Sequence, residues 1–449
     1  METILAKIKR NIPEPAARLL RPPYHLLLAA VAVSWYRFPS RRLIVIGVTG
    51  TKGKTTAVEL LHEVLAASGA KVASVSSLRF RIGEKETPNT LKMTMPGRFF
   101  LQGFLRRAVR EKCRWAVIEV TSQGVAQFRH RFIRFSGALM TNVAPEHIEA
   151  HGSFERYLRA KLDLFWRLPK DAVAVINRDD PRWSRFAAST RAHRAFYYRE
   201  GITINGKRWE VRDLVIGPDG IACEIGGQSV RSLLLGEFNF YNILGAVAIG
   251  LGQGIALERI AAGIARRARI EGRMEFVTRD PFSVVVDYAH TPDSLKNVYT
   301  FLSESAKLKA QSSKLICVLG SAGGGRDRWK RPEFGRIAAE FCNEVILTNE
   351  DPYDENPFTI MEEIESGFSQ APSPKPQAQK IMDRGEAIRA ALRLASPGDI
   401  VVITGKGAEP WLMGPDGEKI PWDDRQVVRE ALKDLRRRAP RTSRASKKS

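Results

Sequence analysis

The chain has 449 residues, room for about two to four domains of ordinary size. Hydrophobic residues at 44% and charged residues at 27% match soluble globular usage, which excludes wholesale disorder, a collagen-like repeat and a membrane-embedded bundle. The net charge of +22 would admit nucleic acid, an anionic membrane surface or acidic substrates, but residues 1–42 carry +6 of it and residues 431–449 carry +7. A basic groove built into the body is therefore disfavoured, and no nucleic-acid partner is expected.

Residues 1–42 read as a basic, partly apolar helical segment broken at Pro13 and again at Pro22-Pro23. Its apolar run, Leu26 to Tyr36, is interrupted by Ser34 and falls short of the roughly 20 residues a bilayer crossing needs. Two readings stay open for this segment: a helix packed on the domain that follows, or an anchor at a membrane surface. No secretory leader is expected, so the location is cytoplasmic, with peripheral contact at the inner membrane face as the second reading.

The run RLIVIGV (Arg42 to Val48) is apolar and β-branched, as a buried parallel strand would be. A helix follows from Ala57, then a strand KVASVSS (Lys71 to Ser77). The alternation continues with a helix over 99–110, strands over 114–120 and 136–143, a helix over 154–168 and a strand within 171–180. This is the pattern of a doubly wound parallel sheet of P-loop type. Residues 195–235 shift to short period-two segments with Asn205-Gly206 and Asp219-Gly220 turn signals, predicting an antiparallel insert or sheet edge. A second, Rossmann-like α/β series begins at FSVVVDYAH (Phe282 to His290) and runs through strands near 314–320, 343–348 and 398–404, with APSPKPQAQ (Ala371 to Gln379) as a Pro-rich loop. The expected layout is an N-terminal segment 1–42, an ATP-binding domain 43–270, a C-terminal domain 271–435 and a disordered basic tail 436–449. The four cysteines lie at least 25 residues apart with no CxxC pair, and read as buried small hydrophobes.

GVTGTKGKTT (Gly47 to Thr56) lies between a buried strand and a helix, where backbone N–H groups and the helix N-terminus can cradle phosphate. Gly50, Thr51, Lys52, Gly53, Lys54, Thr55 and Thr56 form this loop, with Lys54 for the β/γ-phosphates and the Thr55 hydroxyl for Mg²⁺. Val48 stands where strict GxxxxGK[ST] has its first glycine. Glu119 closes the apolar strand WAVIEV, at the edge where α/β folds bind ligands. HIEAH (His147 to His151) has the spacing of a helical zinc pair, but Ile148 occupies the position of the zincin glutamate.

GTKGKTT resembles the ATP loop of the Mur ligase family, amide-forming ligases of peptidoglycan precursor synthesis. TNVAPEHIEAHGSFERYLRAKLDLF (Thr141 to Phe165), GEFNFYN (Gly236 to Asn242), GRMEFV with DYAHTPDSL (Gly272 to Leu295), GKGAE (Gly405 to Glu409) and IPWDDRQVVREAL (Ile420 to Leu432) follow in the family's order. Across residues 43–435 the likeness is greatest to the muramyl-tripeptide synthetase branch. It implies ATP and Mg²⁺ as cofactors, and a muramyl-peptide acceptor and a free amino acid as substrates. It also implies Mg²⁺ contacts at Glu119 and His147, a carbamylated lysine at Lys161, adenine contacts at Asn239 and Asn242, an inter-domain arginine at Arg273 and a ribose contact at Asp287. His290 would approach the phosphates, and His151 would pack or cap. Thr94, Ser122 and Arg129 would lie on the acceptor side, and Gly405 and Glu409 by the amino acid. The reaction implied is phosphorylation of a carboxylate by ATP, then attack of an amine on the acyl phosphate.

Two departures stand out. Family members begin with their own UDP-gripping domain, whereas only about 42 residues precede the ATP loop strand here, so either the UDP part is held differently or the acceptor is a related, membrane-linked muramyl peptide. Diaminopimelate-adding members carry DNPR where this chain has EDPY (Glu350 to Tyr353). With Tyr353 in place of an arginine, a diamine such as lysine, facing Glu350, Asp351 or Asp354, is expected over diaminopimelate. Other ligases of the superfamily, of folylpolyglutamate or cyanophycin type, and a nucleic-acid-binding ATPase are the alternatives.

Overall fold

The computed structural model describes residues 14–91, 93–146, 151–310, 312–325, 327–371 and 376–438. The chain divides into two compact units. The first comprises residues up to Leu233 with Glu237–Ala268, and the second comprises Leu234–Gly236 with Arg269 onward.

The first unit is built on β1 (Ile44–Thr49), β2 (Val72–Val75), β3 (Arg79–Ile82), β4 (Lys85–Pro88), β5 (Trp115–Glu119), β6 (Gly137–Met140), β7 (Val173–Asn177) and β8 (His193–Tyr198). It continues with β9 (Gly201–Ile204), β10 (Lys207–Gly217), β11 (Gly220–Ile225) and β12 (Gln228–Ser232). All twelve join one sheet in the order β12-β11-β10-β9-β8-β7-β6-β1-β5-β2-β3-β4. From β8 to β2 the pairing is parallel, and both margins are antiparallel. The expected antiparallel insert is thus a continuation of the main sheet, turning at Asn205-Gly206 and Asp219-Gly220 as the turn chemistry requires.

β1 and β5 are buried almost throughout, which is why they read as unbroken apolar runs. The chain leaves β1 for β2 on one side and resumes with β6 on the other. The carboxyl end of β1 is therefore a topological switch point, where such sheets bind ligands. The helix Glu237–Gly252, apolar nearly all round, is buried among sheet and helices.

The helix Glu14–Trp35 continues through Pro22 and Pro23, where the sequence suggested a break. The two missing backbone donors are tolerated because Ala29, Ala32 and Val33 seat the helix on its neighbour Arg98–Arg110. Gly103 makes the approach possible, since a Cβ there would meet the Tyr36 ring at 3.0 Å. Pro13 lies outside the described residues. No helix among them is long and apolar enough to cross a membrane.

The second unit holds β13 (Glu275–Thr278), β14 (Ser283–Asp287), β15 (Leu315–Leu319), β16 (Glu344–Thr348), β17 (Ala378–Ile381) and β18 (Ile400–Thr404), in the order β13-β14-β18-β15-β16-β17. Five are parallel and β13 is an antiparallel edge. Ala378 and Gln379, read as loop, open the edge strand β17 because their neighbour β16 offers a free ladder. The last helix spans Asp424–Arg438, three residues beyond the expected start of the tail, and residues 439–449 lie outside the described residues. All four cysteines are buried, as expected, and Cys317 and Cys342 are joined as a disulfide that the sequence reading did not foresee.

Candidate active site

The loop after β1 is shaped by two glycines that no other residue could replace. Gly50 has φ +151° and a Cβ there would strike Thr141 Oγ1, while Gly53 has φ +78° and a Cβ would strike Asn242 Oδ1. Gly53 caps the helix Lys54–Ala66, whose first residues Lys54, Thr55 and Thr56 present its positive end to the loop. The loop is fastened to the segment after β6. Thr51 N–H donates to Asn142 O at 2.7 Å, Lys52 N–H to Asn142 Oδ1 at 2.9 Å, and Thr141 Oγ1 to Lys52 O at 2.6 Å. Lys52 Nζ reaches Glu146 at 2.8 Å.

Lys54 Nζ donates to Gly50 O and Thr51 O, so its charge rests on neutral carbonyls of its own loop. Glu119, 2% exposed at the end of β5, is held in the same way by neutral groups. Thr55 Oγ1 donates to both carboxylate oxygens at 3.1 and 3.2 Å, and Ser77 gives its N–H at 2.9 Å and its hydroxyl at 3.2 Å. No cation pairs with it among the described residues. This carboxylate and hydroxyl fit Mg²⁺, which takes few protein ligands and shares its shell with phosphate oxygens and water. The described residues contain no group of three His, Cys, Asp or Glu that could hold a metal unaided. His147 lies outside the described residues.

Lys161 is buried on the helix Phe154–Trp166, where a solvated lysine would be the default. Its Nζ donates to Gly50 O at 2.6 Å and lies 4.4 Å from the centre of the Tyr157 ring. Burial and the nearby Lys54 and Lys52 push its pKa well down against the pull of Glu146. Tyr157 in turn shares a 2.8 Å hydrogen bond with Thr51 Oγ1. His151 meets Ser122 Oγ at 3.0 Å and stacks edge-on against Tyr157, the packing role expected of it.

Thr94, Ser122 and Arg129 are the residues expected on the acceptor side. Thr94 Oγ1 bonds Ser77 Oγ at 2.8 Å, one step from Glu119, and Arg129 donates to Met95 O and Gln127 Oε1. Ser122 opens the short helix Ser122–Ala126, in which Gly124 leaves room for Met95. Asn239 and Asn242 are buried and bond each other at 3.1 Å, Asn242 against Gly53. Ser77, Tyr157 and Glu146 escaped the sequence reading. Ser77 could have been found, since it sits at the carboxyl end of a parallel strand in the same sheet.

In the second unit Asp287 is buried at the end of β14, and its two oxygens accept N–H groups of Met274 and Ala289 at 2.7 Å. Burial raises its pKa, against the pull of Arg273 and these N–H groups. Arg273 lies over the Tyr288 ring at 4.2 Å, and His290 Nδ1 is 2.7 Å from Tyr288 O. Tyr288 donates to Glu409, which also accepts from Lys406 at 2.6 Å. Lys406 grips both oxygens of Asp351 at 2.9 Å, so Asp351 is engaged by a lysine of its own unit. Asp354 accepts the Asp416 N–H at 2.8 Å. Of the three carboxylates expected to greet a diamine, Glu350 alone keeps a buried oxygen, Oε2, without a hydrogen-bond partner, pressed against Gly405 (φ +107°). Its pKa is pushed up to about 7 by burial, with Arg384 and Lys406 opposing. Tyr353 takes a left-handed φ of +52° and lies against Gly324.

The middle-domain model of the Mur ligases matches residues 48–250, and the glutamate ligase domain model of the Mur ligases matches residues 272–407. A UDP-N-acetylmuramoyl-L-alanyl-D-glutamate–2,6-diaminopimelate ligase of Gloeobacter violaceus is 38% identical over 418 residues, 91% of this chain and 81% of its own. The chain belongs to the Mur ligase family. A UDP-N-acetylmuramyl-tripeptide synthetase of Roseiflexus is 36% identical over 447 residues, covering 95% of this chain and 85% of its own. A solved UDP-N-acetylmuramoyl-L-alanyl-D-glutamate–2,6-diaminopimelate ligase superimposes with a TM-score of 0.59 at 31% identity, covering 88% of this chain and 79% of that one. Folylpolyglutamate synthase of Mycobacterium tuberculosis, solved with ADP and AMPPCP, shares the fold at 18% identity and a TM-score of 0.67, over 85% of this chain and 92% of that one.

Proposed function

We propose that this Mur ligase joins an amino acid to the carboxylate of a muramyl-peptide precursor of peptidoglycan in the cytoplasm, using ATP and Mg²⁺. The observation that carries the reading is the meeting of the Gly50–Thr55 loop, Glu119 and Lys161 at the carboxyl ends of β1 and β5, with Lys54, Glu119 and Lys161 held by neutral groups.

The loop amides and the helix end behind them suit the ATP phosphates, and Lys54 has only to exchange two carbonyls for β/γ oxygens. Thr55 and Glu119 would hold Mg²⁺, with His147 and a carbamylated Lys161 as the family's further contacts. When bound, the ion would neutralise charge on the phosphate oxygens. The γ-phosphoryl group passes to the acceptor carboxylate, giving ADP and an acyl phosphate. The amino acid's nitrogen then attacks the acyl carbon, loses a proton and expels phosphate. Asn239 and Asn242 are proposed for adenine, Asp287 for ribose, Arg273 and His290 for the phosphate end, and Thr94, Ser122 and Arg129 for the acceptor. The neutral amine, the form towards which burial shifts Lys161, is the one that adds to CO₂, its nitrogen bonding the carbon and releasing one proton to leave a carbamate.

For the amino acid we favour one without a second carboxylate, L-lysine first, received by Glu350 beside Gly405 and Glu409. Two arginines that could have replaced the missing guanidinium at Tyr353 are already committed. Arg384 is buried in a bidentate pair with Asp424, and Arg425 holds Asp423. Phosphate release with ATP and UDP-muramyl dipeptide, over a panel of amino acids, tests the reading. Lysine should outcompete diaminopimelate by roughly a hundredfold, the worth of leaving a buried carboxylate unpaired. Tyr353→Arg should narrow that gap. Preferential use of diaminopimelate would overturn the choice of amino acid, and no turnover with any of them would overturn the acceptor.

A further inference from the structure

We infer that the outward face of the helix Glu14–Trp35, with the aromatic and arginine side chains around its C-terminal end, docks on an anionic phospholipid surface. Tyr24, Leu27, Val31 and Trp35 recur at spacings of three, four and four residues, so they form one stripe. The stripe faces outward. Leu27 is 63% exposed and Trp35 76% exposed, while Ala29, Ala32 and Val33 on the other side are buried. Four large apolar residues in a row on one exposed face exceed the scatter of single hydrophobics that any surface shows.

The charge along the segment that carries this stripe is of one sign. Residues 21–42 contain no Asp or Glu, and Arg21, Arg37, Arg41 and Arg42 are all exposed. The helix ends where Arg37 and Phe38 take left-handed φ values of +58° and +50°, and Arg41 lies over the Phe38 ring at 4.6 Å. The end is fixed to the body, since Ser40 is buried and its Oγ accepts the Arg134 N–H at 3.1 Å. Two residues before Arg134, Phe132 is exposed. It lines a shallow hollow of about 400 Å³ together with Arg131, the 66%-exposed Trp166 and Arg167, the last paired with Asp163 at 2.6 Å. Apolar rings interleaved with arginines, and no acidic residue from Arg21 to Arg42, match an interface that is hydrocarbon below and phosphate above.

A second copy of the chain fits less well. A two-fold contact sets the same patch against itself and would bring the arginines of one copy towards those of the other with no Asp or Glu in residues 21–42 to separate them. A bilayer crossing is excluded by length, because the apolar run is far shorter than the roughly 20 residues required.

Co-sedimentation of the full chain with vesicles tests the inference, using phosphatidylcholine alone or mixed with phosphatidylglycerol. The wild type should pellet with the anionic vesicles at low salt and be released by high salt, with little binding to phosphatidylcholine. Leu27→Glu with Trp35→Glu should lower the partition at least tenfold, because an amphipathic helix binds through its buried apolar area. Both side chains point away from the fold, so the melting temperature and the ligase rate on a soluble acceptor should stay as in the wild type. Wild-type protein left in the supernatant with anionic vesicles would overturn the inference. So would equal binding by the double variant, which would assign the attraction to other basic segments. A concentration-dependent dimer in the wild type that the double variant loses would replace the bilayer with a second copy.

Discussion

The loops that end the strands of the first unit and those that end the strands of the second treat charge in opposite ways. Around the switch point of β1, the Lys54 and Lys161 amines rest on backbone carbonyls and the Glu119 carboxylate rests on hydroxyls and one N–H, while Lys52 is paired with Glu146. In the second unit Lys406 lies between Asp351 and Glu409, and Arg384 is locked onto Asp424. On the proposed function, the first set keeps Lys54 and Glu119 for an anionic ligand and a cation. The second is internally neutralised and builds a rigid frame, in which one buried carboxylate, Glu350, is left to respond to what binds.

Breaking the frame should cost the most. Arg384→Met leaves Asp424 buried without its partner, and the loss of stability should be about 3–5 kcal/mol, read from denaturant unfolding. Substituting both, Arg384→Met with Asp424→Leu, should recover much of it.

Changes in the first unit should leave stability nearly intact and remove activity. Lys54→Ala and Glu119→Ala should each lower ligation by on the order of 10²-fold, the usual worth of one electrostatic contact to the reacting groups. Unfolding curves should separate these variants from Arg384→Met. Near-wild-type rates in both would remove the active-site assignment.

Lys161→Ala should also be largely inactive, and short carboxylates in the buffer should restore part of the rate by standing in for the carbamate. Loss of the wild-type rate in bicarbonate-free buffer at low pH, with recovery on adding bicarbonate, would be the second sign of the modification. A structural role in holding Gly50 O predicts neither recovery.

The smallest effect belongs to Glu350. Its folded pKa of about 7 is above the ordinary value of 4.5, so the folded state holds the proton more tightly and stability declines as pH rises through that window. Between pH 6 and 8 the wild type should lose on the order of 1 kcal/mol that Glu350→Gln does not lose. A substrate ammonium seated there favours the ionised carboxylate, so the KM for lysine should fall as pH rises through 7.

Much of the fold could be read from the sequence because β1, β5, β15 and β18 are buried on both faces and therefore appear as unbroken apolar runs. The hairpin β3–β4 was not legible, since β4 is wholly exposed and its residues KETP carry no apolar alternation. Pro22-Pro23 misled because backbone rules weigh the lost donors and not the packing of Ala29, Ala32 and Val33 against a neighbouring helix. In the site, Lys54, Thr55 and Glu119 stood out through local pattern, whereas Ser77 lies 42 residues from Glu119 and Tyr157 lies 106 from Thr51. Such partners are set by strand order, which no local spacing records. Asp351 stood out as a carboxylate of the EDPY segment, but its engagement with Lys406, 55 residues away, was not legible.

The central claim, that ATP is used to make an amide, is tested most directly by stoichiometry. With the full chain, ATP, Mg²⁺, UDP-muramyl dipeptide and lysine, phosphate and ligated product should appear in equal amounts, and leaving out either the acceptor or the amino acid should stop net product formation. Phosphate released without product, or at the same rate without the acceptor, would contradict the account.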